Sequence, residues 1–76
     1  MVSNAKGHSK MIDYSPLWKT MEAKNITQYR MIEQGIDRRV LDTLRKNKNI
    51  TMLTLEKLCN VLDCEPSDIV RFIPEE

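Results

Sequence analysis

Residues Thr27–Leu44 read TQYRMIEQGIDRRVLDTL. Thr27 offers a hydroxyl to cap a helix from Gln28 to about Gln34, whose apolar Met31 and Ile32 must face inward. Gly35 follows directly after the periodic stretch, as a left-handed C-cap requires. Ile36 is an apolar residue in the turn, and Asp37 is the N-cap of the next helix, Arg38 to about Asn47. Leu41 and Leu44 face inward there, joined by Val40. A short helix, a glycine turn with a buried aliphatic after it, and a second helix with inward residues three apart hold two helices at a steep angle, which is a helix-turn-helix.

Working outward, Ser15-Pro16 is a helix-start signal, a capping hydroxyl followed by a proline preset for the first turn. A helix from Pro16 to about Lys24 follows, with Leu17 and Met21 on its inner face and Tyr14 and Trp18 flanking. Asn25-Ile26 separates it from the motif. On the other side, Asn47 to Asn49 form a polar loop, Ile50 an anchor, and Thr51 caps a helix through about Leu62. Its buried stripe is Leu55, Leu58, Cys59 and Leu62. Glu65-Pro66 opens a last short helix with Ile69 and Val70 inside, then Phe72, Ile73 and a stop at Pro74. Five short helices leave no sequence for a sheet, so the expected fold class is all-α.

Composition sets the outer bounds. The chain has 76 residues, 41% hydrophobic and 30% charged, with two Gly, three Pro and four aromatic residues. That suits one soluble domain with a modest core and leaves little room for a deep substrate cavity, which argues against an elaborate enzyme. Residues 1–11 read as a flexible N-terminal tail and 12–76 as the folded domain; Met11 is an alternative start of the chain. No apolar run reaches the length of a membrane span, and the opening residues lack a signal peptide's apolar segment, so a cytoplasmic, reducing setting is expected. Cys59 and Cys64 should remain free thiols. With the only histidine at His8, they do not supply the four ligands of a structural zinc site, and no metal, cofactor or small-molecule ligand is indicated. A catalytic Cys-His or Ser-His-Asp set would have to recruit His8 from the tail.

The net charge of +1 hides an asymmetry. Residues 1–50 carry ten bases and five acids, whereas residues 51–76 carry two bases and six acids. The densest stretch, Arg38 to Lys48, has five bases and one acid. One part of the surface is thus suited to a polyanion and the other is not.

Thr27-Gln28, Gly35-Ile36 and Asp37, with Leu41 and Leu44, resemble the signature of the Cro/repressor family, the Xre-like helix-turn-helix regulators. The run from Thr54 to Ile69 looks like that family's fourth and fifth helices. The resemblance implies a lambda-repressor-like DNA-binding domain and a transcriptional regulator of double-stranded DNA, most simply a repressor that occludes a promoter. The interval from Gln28 to Gly35 is one residue shorter than the family's usual one, which implies a tighter second helix or turn.

In a docked helix-turn-helix, the first turns of the recognition helix face base edges, and an arginine fork can bond guanine O6 and N7 together. Arg38 and Arg39 are the candidates, with Thr43 one turn further along the same face. The competing reading is a solvated charged face with Arg38 paired to Asp42. Gln28 is the family's phosphate-bonding position; Tyr29 offers a hydroxyl to a phosphate, against a place in the core; Arg45, Lys46 and Lys48 are further phosphate contacts. One short helix reads few base pairs, so a homodimer on DNA is expected. Its interface is placed at Val70, Phe72 and Ile73; the competing reading has Phe72 and Ile73 fold back over the first helix and close the monomer's own core. The alternative from another class is a protein-interaction module, such as an antitoxin-like partner.

Overall fold

The computed structural model describes residues 10–74. Its elements are β1 (Lys10–Asp13), α1 (Ser15–Lys24), α2 (Gln28–Glu33), α3 (Arg38–Arg45), α4 (Met52–Leu62), a 3-10 turn (Pro66–Asp68) and β2 (Arg71–Pro74). Among the described residues, the expectation of five helices and no sheet is corrected to four α-helices, one 3-10 turn and a two-stranded sheet. The tail expected over residues 1–11 lies largely outside the described residues; its last two, Lys10 and Met11, belong to β1.

The strands pair antiparallel with Ile12 opposite Phe72 and Asp13 opposite Arg71. Arg71 Nε donates to Asp13 Oδ2 at 2.6 Å. This hydrogen bond, and then the one from Ser15, hold the Asp13 carboxyl below its ordinary value. Asp13 also accepts from the Ser15 amide (3.1 Å) and hydroxyl (2.7 Å). The start of α1 is therefore secured by Asp13 rather than by the Ser15 hydroxyl capping on its own, and the same carboxylate joins the helix to the sheet.

Thr27, Asp37 and Thr51 cap α2, α3 and α4 through their side-chain oxygens, as the sequence predicts. All four helices end on one kind of turn, a left-handed residue followed by an amide that reaches back five positions. The left-handed residues are Asn25, Gly35, Asn47 and Asp63. The closing bonds run from Ile26 N to Met21 O (2.8 Å), Ile36 N to Met31 O, Lys48 N to Thr43 O and Cys64 N to Cys59 O (3.0 Å each). Such a turn places the residue after the left-handed position beside the one five back. In the first two helices the pairs are apolar, and Met31 and Ile36 are both fully buried.

The core comprises Tyr14, Leu17, Met21, Met31, Ile36, Leu41, Leu44, Leu58, Leu62 and Ile69. Burying each such aliphatic side chain contributes about 1.5–3 kcal/mol relative to exposure. Tyr14, expected only to flank the core, is 1% exposed. α1 also clamps the C-terminal part: the Thr20 hydroxyl donates to the Asp68 carbonyl (2.8 Å) and Lys24 Nζ to the Asp63 carbonyl (3.3 Å).

Candidate nucleic-acid interface

α3 presents its polar face because Leu41 and Leu44 are buried in the core and fix its rotation. The Asp37 carboxylate accepts from the Arg39 amide at 2.8 Å. An anionic cap there also offsets the unfavourable placement of two cations at the positive end of the helix dipole. Arg38 and Arg39 are exposed. The Arg38–Asp42 pair of the competing reading is not formed. Asp42 is directed toward the other end of the helix, with Lys46 Nζ at 3.2 Å and Arg45 Nη1 at 3.9 Å. Among the described residues neither Arg38 nor Arg39 makes a salt bridge.

Thr43 is half-buried, and its hydroxyl donates to the Arg39 carbonyl at 3.0 Å. Its proton is thus committed within the helix, leaving the oxygen lone pairs and the methyl group for other contacts. A groove of about 430 Å³ runs beside this face, lined by Arg39, Val40, Thr43, Asn49, Ile50, Thr51 and Thr54. Asn49, Thr51 and Thr54 are additions to the expected set. Thr51 caps α4, bonding the Thr54 amide (3.1 Å) and hydroxyl (3.0 Å), so the groove's far wall is a helix start. In the sequence Asn49 reads only as polar loop, Thr51 only as a cap and Thr54 only as part of the following helix.

The expected phosphate contacts gather around the ends of α2 and α3. Arg45 Nη2 donates to Gln28 Oε1, which ties the start of α2 to the end of α3 and leaves the Gln28 amide nitrogen as a free donor. Tyr29 is 68% exposed, which removes the core role set against its phosphate role. Lys46 shares Asp42 with Arg45, whereas Lys48 makes no salt bridge among the described residues. The loop carrying Lys48 is anchored by Tyr14, whose hydroxyl donates to the Lys48 carbonyl (2.6 Å) and whose amide donates to Asn47 Oδ1 (3.1 Å). Burial pushes the Tyr14 phenol above its ordinary value, so it remains a donor at neutral pH. Tyr14 and Asn47 are positioning residues that periodicity alone did not reveal.

Of the three residues expected at an interface, Val70 and Phe72 line an apolar cleft of about 210 Å³ with Ile12, Tyr14, Asn49, Ile50, Thr51, Met52 and Leu55. Phe72 is 61% exposed and Met52 79%. Ile73 is half-buried, pairs with Met11 across the strands and does not line the cleft. The competing reading, in which Phe72 and Ile73 close the core over α1, is corrected: they lie in β2 and pair with Ile12 and Met11 of β1, leaving Phe72 exposed. The cleft and the groove beside α3 share Asn49, Ile50 and Thr51.

Among the described residues no group of three or more His, Cys, Asp or Glu side chains is placed to hold a metal ion, and no helix is long and apolar enough to cross a membrane. Burial raises both thiols, Cys64 to about 11.

Residues 16–75 match the family model of the Cro/C1-type HTH DNA-binding domain. The crystal structure of transcriptional regulator VanUg, Form II, is similar at 25% sequence identity with a TM-score of 0.79, over 99% of this chain and 99% of that one. No curated protein sequence matches the chain.

Proposed function

Because the chain belongs to the Cro/C1-type helix-turn-helix DNA-binding domains, we propose that it is a cytoplasmic, non-enzymatic regulator that recognises a specific duplex sequence and represses by occluding a promoter. The observation that carries this reading is the exposed first turn of α3. Arg38 and Arg39 stand there without a carboxylate partner among the described residues, beside an anionic cap that holds the helix start in place. Their forks suit guanine edges in the major groove. Thr43, with its hydroxyl proton committed, contributes its methyl group or lone pairs one turn further on. Gln28, Tyr29, Arg45, Lys46 and Lys48 hold the phosphates on either side, and Tyr14 fixes the loop that sets the height of Lys48.

The apolar cleft supports a second copy of the chain as partner. It adjoins the groove beside α3 through Asn49, Ile50 and Thr51, so a pair that meets there keeps each recognition helix next to the interface. Val70 and Phe72 lie in this interface, with Met52 added from α4, and Ile73 at its margin. The same cleft is what favours a protein-interaction module, the reading from another class.

Sedimentation with a selected palindromic duplex across a salt series separates the two. Two chains should bind each duplex, and log K should fall steeply and linearly with log salt as several phosphate contacts release counterions. Phe72→Glu should stay folded and leave one chain per duplex. Absence of duplex binding at low salt, against a promoter library from the same genome, overturns the reading in favour of a protein partner.

A further inference from the structure

The end of α4 differs in chemistry from the other three helix ends. Its turn pairs two thiols, where α1 and α2 pair apolar side chains and α3 pairs Thr43 with Lys48. Asp63 occupies the left-handed position (φ 52°), and the Cys64 amide closes on the Cys59 carbonyl at 3.0 Å. The spacing of five, unremarkable along a straight helix, becomes a stacked pair in this turn. The two thiols lie close enough to act on one another electrostatically. Both cysteines are half-buried and free. A depression of about 230 Å³ lined by Cys59, Met52, Leu55, Glu56, Asn60 and Pro66 opens Cys59 to solvent.

We propose that Cys59 and Cys64 form a two-coordinate site for a soft monovalent d10 cation of the cuprous type. Thiolates select such ions, and a cuprous ion is satisfied by two sulfurs where zinc requires four ligands. The Asp68 carboxylate accepts from the Glu65 amide at 3.1 Å and sets a negative charge near the two thiols. Binding exchanges two thiol protons for one cation, giving a bis-thiolate complex of charge −1 and two protons released to solvent. The cation stays monovalent throughout, so no oxidant or reductant is needed. Lys24, held on the Asp63 carbonyl between the two cysteines in sequence, places its ammonium where that negative charge develops. The site stands on α4 and is independent of the proposed DNA reading.

The test is an anaerobic titration of the full chain with cuprous ion supplied as its coloured bicinchoninate complex, reading the loss of colour as transfer. One ion per chain is expected. Cys59→Ser and Cys64→Ser should each weaken binding on the order of 100-fold, since one thiol of a linked pair is lost. The double variant Cys64→Ser, Asn60→Cys keeps two thiols but points them to different faces of the helix, and should bind like the single-thiol variants. Silver ion should raise the melting temperature of the parent chain and not of these variants, all of which should give the parent's helical circular dichroism. Wild-type affinity in either serine variant, recovery in the double variant, or one ion per two chains would overturn the proposal.

Discussion

The turn between α2 and α3 and the β1–β2 sheet hold the molecule together in opposite ways. In the turn, the hydrogen bonds that shape the backbone lie within a few residues: Thr27 caps the Arg30 amide, Ile36 closes on Met31, and Asp37 caps the Arg39 amide. In the sheet, the decisive contact joins Asp13 to Arg71, 58 residues apart. The turn draws on backbone conformation and short-range caps, whereas the sheet closes the two ends of the chain on one ion pair that reaches into the cap of α1. The first should therefore fail by a change of backbone preference and the second by a change of protonation.

The largest effect is expected at Gly35, whose φ is +103°. A Cβ added there meets nothing within 4 Å, so any penalty is conformational rather than steric crowding. Gly35→Val should lose on the order of 1–3 kcal/mol in urea unfolding, with little dependence on pH. A variant as stable as the parent would show that the turn does not depend on this backbone angle.

Asp13→Asn should have a smaller effect with a distinct signature. The folded carboxyl is held below its ordinary value of 3.8 by Arg71 and Ser15. Its contribution is therefore fully present above that value and is lost as the pH falls through the lowered one. The parent should melt above the variant at neutral pH, and the two should converge once Asp13 is protonated in strong acid. A difference that persists unchanged in strong acid would assign the effect to packing instead.

The same contrast explains what the sequence disclosed. Thr27, Asp37 and Thr51 were legible as caps because capping depends on a residue and its next few amides. Leu41, Leu44 and Leu58 were legible as core because helical spacing alone makes a buried stripe. The sheet was not legible, since four-residue strands at the two ends of the chain carry no turn between them. Ile12 and Phe72 look like loose ends until they are paired. At the candidate site, the basic residues of α3 could be named from charge and position. The direction of Asp42 could not: i, i+4 spacing offers it to Arg38 as readily as to Lys46, and only the fold resolves the choice. Tyr14 reads only as flanking the core and Asn47 only as polar loop, because their bonds join the start of α1 to the loop after α3.

The central claim is that Arg38 and Arg39 read bases while the loop beyond α3 holds phosphate. Measuring the affinity of Arg38→Ala, Arg39→Ala and Lys48→Ala for a selected duplex and for its single-base variants tests it most directly. Each arginine change should cost on the order of 1–3 kcal/mol on the selected duplex and flatten the preference at one defined base pair. Lys48→Ala should weaken every duplex alike and reduce the salt slope by about one. If all three variants lower affinity uniformly and leave every base preference intact, the arginines bind phosphate and the assignment of base reading to the first turn of α3 is wrong.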